Sequence, residues 1–557
     1  MEPRLIRVPA KTFGHLLLMS LMGAAQVPGP SSAGNGGAIF RVAGVVLSKT
    51  DSRPLPGARV VLRDARNSSR FESVVTAEDG KFAFVNVPAG KYGLEGAKRG
   101  FVVGFYDQHE QFSTAIVAGE GFDTEHFELR LAPQAVISGR VLDEAGEPVR
   151  HAAVSLYAEN RLEGIERIEE IGSAQTDDLG AYEFPSLTPR TYFLSVRATP
   201  WYAVHPPSSG EASGTPGQSA SAMATDHSLD VAYPITYYSD ATDADSATPI
   251  PVGGGERVQA DLHLDPVPAL RVRFRVPGDS THGFAFPQFE QSSFDGTSWI
   301  QHGGGNLISP GLVEITGIPA GRYNVRFQGP GGPEGLQMNE VDLSKDGEQI
   351  DSTDAEPLGT IKISVQIAGE PIPAGLSVGL RSKVRTVSAW KGLDEKGQAE
   401  LDHVQAGRYS LVIWGTRKPY FISRISAEGA EVVGHTVIVS AGSSPSIVVT
   451  AVAGSVEVQG IAKRGEKPMA GAMVVLVPAN PEGNRDLFRR DQSDQDGTFT
   501  LRNVVPGSYT VVAIEGGWDL NWSEPGVIAV YAKHGQTIDV GSDKPVNLPR
   551  PIEVQAK

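Results

Sequence analysis

Five times in this chain a thirteen-residue phrase runs ungapped from a glycine to a tyrosine, at residues 80–92, 180–192, 311–323, 397–409 and 497–509. Its fullest form is GKFAFVNVPAGKY (80–92), and the third copy, GLVEITGIPAGRY (311–323), keeps the same skeleton. Recurrence of this kind sets the architecture as an array of like units before any other consideration. Within the phrase, Asp79 and Gly80 read as a turn, since glycine reaches positive φ at no steric cost. Phe82 and Phe84 alternate with Lys81 and Ala83, which puts both rings on one face of a strand. Pro88, Ala89 and Gly90 reverse the chain, with Pro88 presetting φ and Gly90 able to take the left-handed conformation, and Tyr92 and Leu94 return at period two to the same core.

Ahead of the phrase, an apolar strand at 42–47 and a Pro-Gly turn at 56–57 lead into a second strand at 59–62. Together these make a turn-rich unit of about 95 residues, the size at which two sheets close over a core. The 64 glycines and 39 prolines fit many short strands joined by tight turns. The expected fold class is therefore all-β, a tandem array of five small antiparallel β-sandwiches of Ig-like or prealbumin-like type. The expected units cover 38–132, 135–265 with an insertion at 199–239, 267–355, 358–450 and 453–549, followed by a tail at 550–557. The third is degenerate ahead of its phrase, and in the second Arg190 stands where the others carry glycine. Linkers of a few residues restrict rotation between neighbours, so an extended, stiff rod is expected.

The order G-x-V, G-x-P-x-x-G-A-x-V-x-L and D-G-x-F-x-F-x-x-V-P-x-G-x-Y resembles the carboxypeptidase regulatory-like domain. That domain is also described as a transthyretin-like or collagen-adhesin B-type sandwich. Residues 44–92, 139–192 and 458–509 match best. The resemblance implies fold more than function, because relatives include accessory modules beside peptidases, stalk repeats of surface adhesins, carbohydrate-binding-like modules and extensions of outer-membrane receptor barrels. No catalytic domain or barrel is expected after the fifth unit.

A formal charge of −16, with both signs interspersed, argues against a nucleic-acid partner. Cysteine is absent, which excludes disulfides, thiolate metal sites and cysteine nucleophiles. Residues 1–25 read as an export signal, with Arg4, Arg7 and Lys11 ahead of an apolar stretch and small residues at 23–25; residues 26–37 read as a linker. No stretch of the sequence has the ~18 uninterrupted apolar residues of a membrane span. The mature protein is expected in the periplasm, secreted or at the cell surface.

Chemistry is sparse. None of the twelve histidines opens a zinc-peptidase motif. The single G-x-S-x-G, Gly375 to Gly379 around Ser377, aligns with a strand of the first unit rather than with the strand-to-helix elbow a serine hydrolase needs. Lysine is absent between Lys98 and Lys345, which leaves the second unit without the lysine of an isopeptide cross-link, and Lys345 is expected on the last strand of the third. Asp494 and Asp496 beside Gly497 are weak calcium candidates, with solvated turn residues the alternative; no cofactor and no other metal is expected.

If the phrase serves folding, contacts with ligands belong where the units differ. The insertion has a polar, glycine-rich middle (208–224) flanked by Trp201, Tyr202, Tyr233, Tyr237 and Tyr238. Those five rings, with Trp518 and Trp522 of the fifth unit, are the ligand-contact candidates. The alternative is that the rings pack loop stems onto the sandwich. Phe284 and Phe286 alternate and are assigned to a core face. The reading that follows is a non-catalytic exported spacer or interaction protein of the cell envelope, with a glycan or an envelope protein as partner. Carbohydrate binding through the aromatic loops is the alternative, and a module accessory to a separate peptidase is a third reading.

Overall fold

Strand pairing follows one plan along the chain. The computed structural model describes residues 38–206, 227–275, 287–309, 311–327, 336–351, 355–367, 369–382, 387–416, 420–453, 456–541 and 544–557. The segments assigned to the export signal, the linker, the middle of the insertion, Phe284 and Phe286 lie outside the described residues. Five strands, Ile39–Ser48, Ala135–Leu142, Leu270–Arg275, Gly359–Ile367 and Val456–Arg464, each pair antiparallel with the first strand of the following phrase. On its other side each pairs parallel with a late strand: Phe127–Leu131, Arg257–Gln259, Gln349–Asp351, Ser446–Ala453 and Val546–Asn547 in turn. In the first four units the second strand of the phrase lies in the opposite sheet, as Gly90–Ala97 does between Arg59–Asp64 and the pair Gly104–Phe105 and Ile116–Ala118. In the fifth the two sheets are joined along one edge, where Ile552–Ala556 pairs with both Val456–Arg464 and Gly507–Glu515. The sandwiches are thus antiparallel apart from a parallel closure of the first strand on late strands, which the second and fifth extend with Leu262–His263 and Ile552–Ala556.

Because the phrase leaves one sheet and enters the other, it must turn a corner, and its residues show how. The opening glycines, Gly80, Gly180, Gly311, Gly397 and Gly497, all have positive φ, between 69° and 77°. A Cβ on Gly397 would also lie 2.4 Å from the carbonyl oxygen of Val365, so both φ and space exclude a side chain. The seventh position is left-handed as well, in Asn86, Ser186, Gly317, His403 and Asn503, and at that point the ladder slips by a β-bulge in every unit. The closing tyrosine then folds back, and its hydroxyl donates to the carbonyl four residues earlier. The acceptors are Pro88 for Tyr92 (2.9 Å), Thr188 for Tyr192 (2.7 Å), Pro319 for Tyr323 (2.6 Å), Gln405 for Tyr409 (2.9 Å) and Val505 for Tyr509 (2.8 Å).

The left-handed conformation open to Gly90 is not used at Gly90, Gly321, Gly407 or Gly507. Those glycines lie under the tyrosine ring, at 3.1–3.5 Å from an added Cβ. Contact at that distance tolerates a side chain, and Arg190 takes the place in the second unit, with its guanidinium 5.1 Å from the Tyr192 ring centroid.

Each sandwich has its own apolar core, built from the alternating residues of the phrase and the facing strands: Phe82, Phe84 and Leu94 in the first, Ile137, Tyr182 and Leu194 in the second. The third centres on Phe274 and Phe289, the fourth on Ile361 and Leu411, the fifth on Val458, Phe499 and Val511. The fifth carries a second apolar layer on the outside of one sheet. There Met473–Pro478 is buried along its whole length, covered by Phe488, Trp522 and Ile528 of the helix Pro525–Ala532. Lys345 lies in a bend between Leu336–Leu343 and Gln349–Asp351, not on a strand.

Removing the corner hydroxyl should cost in proportion to the burial of the tyrosine. Tyr509→Phe, at a ring only 1% exposed, is expected to destabilise by about 1–2 kcal/mol through the unsatisfied Val505 carbonyl. Tyr92→Phe, half-exposed, should cost a few tenths of that, as read by the shift in thermal unfolding of each variant.

Candidate functional site

The stems of the second sandwich's insertion are occupied by its own fold. Tyr202 and Tyr233 both donate to the Glu144 carboxylate, Tyr233 at 2.9 Å, and so fasten the stems to the turn at 143–147. Burial works against the Glu144 charge, but the two phenols more than offset it and hold its pKa below the ordinary value; burial and then the carboxylate push Tyr202 up to about 12. Tyr233 and Tyr237 are 7% and 1% exposed, and Tyr238 packs against the core. Tyr237 also meets the tip of a hairpin from the third sandwich. Phe294, at φ 51°, places its ring 4.9 Å from Tyr157, 5.2 Å from Phe193 and 5.4 Å from Tyr237. These tyrosines are therefore corrected from ligand contacts to packing residues. Trp201 differs from them, since it is 88% exposed with Tyr202 edge-on at 5.8 Å.

Trp518, Trp522, Asp494 and Asp496 come together at a surface that the linear reading could not anticipate: the fifth sandwich docks on the first. The Lys91 ammonium, from the first phrase, reaches Asp494 at 2.8 Å, Asp496 at 2.9 Å and the Thr498 hydroxyl. Asp494 also accepts the Ala115 amide (3.0 Å), Gln495 accepts that of Val117 (2.7 Å), and the Gln495 amide donates to the Ala115 carbonyl (3.0 Å). Gln492 Nε2 donates to Thr114 Oγ1 at 2.7 Å. Arg490, 3% exposed in its side chain, pairs with Glu110 at 2.6 Å and lies 4.3 Å over the Trp522 ring. Trp518 stacks on His109 of the first sandwich, centroids 4.9 Å apart and planes 8° from parallel.

These contacts change two expectations. The calcium reading of Asp494 and Asp496 gives way to a protein cation, because the Lys91 ammonium pairs with both carboxylates. In the second and fourth units the equivalent turn aspartates, Asp177 and Asp394, cap their own turns through the amides of Leu179, Ala181, Lys396 and Gln398. In the fifth, Asp494 turns its oxygens to the first sandwich. The extended rod gives way too: Ile39–Lys557 form one compact unit in which the first and last sandwiches touch. Short linkers limit rotation but leave the sandwiches free to meet through their sides, and polar loops of matching charge hold them there.

Burial opposes the charge of Lys91, and the two carboxylates outweigh it, so its pKa is raised. Asp494 is raised by burial despite Lys91, whereas Asp496 is lowered, Lys91 and Thr498 prevailing over its burial. Nearby on the strand Arg489–Gln492, burial pushes Asp491 up to about 6 against the amides of Thr500 and Gln492. Among the described residues no three His, Cys, Asp or Glu side chains form a metal-binding group. Ser377 lies on the strand Ser377–Arg381, paired on both sides, so the G-x-S-x-G residues make no strand-to-helix elbow. No helix among the described residues is long and apolar enough to cross a membrane.

The family model of the carboxypeptidase regulatory-like domain matches residues 41–108 and 136–217. A second model, the BOS complex subunit NOMO1-like, second beta sandwich domain, matches 451–538. No curated protein matches the chain. Among solved structures, the Bacillus anthracis TIE protein aligns at 10% identity and TM-score 0.18 over 76% of this chain and 75% of its own. GBS52, the minor pilin of Streptococcus agalactiae, aligns at 12% identity and TM-score 0.21 over 43% of this chain and 99% of its own. Shaft pilin SpaA from Lactobacillus rhamnosus GG aligns at 8% identity and TM-score 0.18 over 41% and 98%.

Lys91→Met strands two carboxylates at the docked surface and should weaken docking by about 1–3 kcal/mol, more when combined with Arg490→Ala. Small-angle scattering is expected to show a larger radius of gyration for the double variant, with circular dichroism unchanged; an unaltered scattering profile would contradict the docking. Asp491 gives a pH test. Its folded pKa lies above the unfolded value, so its contribution is fully present below about pH 4 and is lost as pH rises toward 6. The stability of Asp491→Asn relative to the parent should therefore rise between pH 4 and 7, by on the order of 1–2 kcal/mol, in paired thermal melts.

Proposed function

Because its first two sandwiches are carboxypeptidase regulatory-like domains, we propose that this chain is a non-catalytic exported interaction protein of the cell envelope. Following an export signal at 1–25, it is a scaffold of five sandwiches over 38–132, 135–265, 267–355, 358–450 and from 453 through the strand Ile552–Ala556. That strand lies in the expected tail and fills the fifth core with Ile552 and Val554. One observation carries this reading: the loops in which the units differ are engaged in joining sandwiches to one another. Tyr237 of the insertion receives Phe294 of the third sandwich, and the fifth unit's aspartate turn grips Lys91 of the first. Loops fixed in this way hold surfaces in a set arrangement, as a scaffold requires. The spacer role is given up, since a chain whose first and last sandwiches touch does not hold its ends apart. Purified protein is expected to show no turnover of peptide, ester or glycoside substrates; a hydrolytic activity abolished by one point substitution would end this reading.

Trp201 supports a second reading, carbohydrate binding. Its indole is open to solvent, two residues beyond Thr199, which lines a cleft of about 350 Å³ that also holds Gln175 and Trp299. Flat apolar area beside polar side chains is what a pyranose stacks upon. A glycan array should then give hits that Trp201→Ala reduces at least about tenfold, whereas Tyr237→Ala, at a buried ring, should act only through stability.

A further inference from the structure

The second, fourth and fifth sandwiches meet around a cleft of about 710 Å³, within the range of sites that hold small ligands. Its walls carry four arginines, Arg167, Arg381, Arg408 and Arg485, on a chain whose net charge is −16. Three acids face them. Glu163 is held by Arg381 at 3.3 Å and Arg167 at 3.9 Å, and Asp486 by His435 at 2.7 Å; Glu482 is exposed at the rim. Arg408 and Arg485 have no carboxylate partner among the described residues, and both are exposed. A further donor on the cleft wall is unmatched, since the indole N–H of Trp522 is buried without a hydrogen-bond partner.

An unpaired guanidinium costs little in water, but two of them beside an unmatched buried donor face a single unpaired carboxylate among the described residues, Glu482, which leaves the cleft with donors in excess. The planar fork of arginine matches a carboxylate with two parallel hydrogen bonds, which a compact cation cannot do. The rings of the cleft decide between carboxylate sources. Tyr409, Phe488 and Trp522 are 4%, 5% and 5% exposed, and Arg490 already covers a face of Trp522, so no ring is open for a sugar to stack on. What remains accessible is charge, with the exposed side chain of Leu162 at the edge.

We propose that this cleft binds a short acidic peptide segment, its Asp or Glu carboxylates held by Arg408 and Arg485. The site goes beyond the scaffold reading and stands apart from it, because a hydrolytic activity would end that reading and leave the cleft unchanged. Titration of the full chain with a hexaglutamate peptide at low ionic strength, followed by calorimetry, is expected to show saturable binding that weakens several-fold in 0.3 M salt. Arg408→Glu and Arg485→Glu should each weaken binding at least about tenfold, with Arg408→Lys intermediate and the distant Lys81→Glu without effect. Neither arginine supports the fold through a partner, so circular dichroism should be unchanged in both. Absence of binding at millimolar peptide, binding indifferent to both reversals, or binding of an oligogalacturonate in place of the peptide would each overturn the proposal.

Discussion

The hydrogen bond from each closing tyrosine to the carbonyl four residues before it is the constraint on which the other features rest. Crossing from one sheet to the other inside seven residues needs a bulge and a left-handed residue, and both leave the strand free to swing. The folded-back tyrosine removes that freedom by tying the far side of the corner to its near side. Once the corner is fixed, the second strand of the phrase enters the opposite sheet in one register, and the core residues on both strands face inward together. The left-handed bulge position carries Asn, Ser, Gly, His and Asn in the five copies, residues that tolerate this conformation at little cost. The demand there is for backbone shape, so the side chain is free to vary.

A rigid corner leaves the turn before it available for other uses. In the second and fourth units the turn aspartate closes on its own backbone, a purely local role. In the fifth the same residue type is redirected across a surface to Lys91, joined there by Gln495 of the same turn and by Arg490 and Gln492 of the strand before it. The resulting surface is polar, and polar surfaces between free partners bind weakly. Tethering changes that balance, because both sides belong to one chain and the effective concentration is high. A modest intrinsic affinity then suffices to hold the first and fifth sandwiches together.

What could be read from the sequence divides along the same line. Alternation, turn chemistry and the closing tyrosine are local, and so the phrase, its core face and the positive φ of its first glycine were legible. The parallel pairing of first and last strands was not, since nothing within Phe127–Leu131 specifies Ile39–Ser48 as its neighbour. The grip of Asp494 on Lys91, 403 residues away, was illegible for the same reason, and its aspartates looked like a metal turn. One signal was present and unused. The unbroken apolar run Met473–Pro478 reads as a strand covered on both faces, and it called for an outer layer such as the helix Pro525–Ala532 provides. The aromatic flanks of the insertion misled in the opposite sense. Aromatic residues beside a polar loop serve ligands and loop stems equally well, and burial separates the two: Trp201 is 88% exposed and Tyr237 1%.

The arginine cleft depends on the same docking. No single sandwich contains it: Arg167 comes from the second, Arg381 and Arg408 from the fourth, Arg485 from the fifth. A ligand bridging Arg408 and Arg485 therefore contacts the docked arrangement and has no equivalent site on the separated sandwiches. By mass action it must favour docking by as much as docking favours it. Contacts that join the second sandwich to the fifth, such as the Ser523 hydroxyl donating to the Glu163 carbonyl at 2.7 Å, then influence the cleft without touching the ligand. The first sandwich enters the same balance through the fifth, since Arg490 both pairs with Glu110 and covers Trp522 on the cleft wall. Closing the array from first sandwich to last and forming the cleft are in this sense one equilibrium, set by the redirected loops that break the repeat.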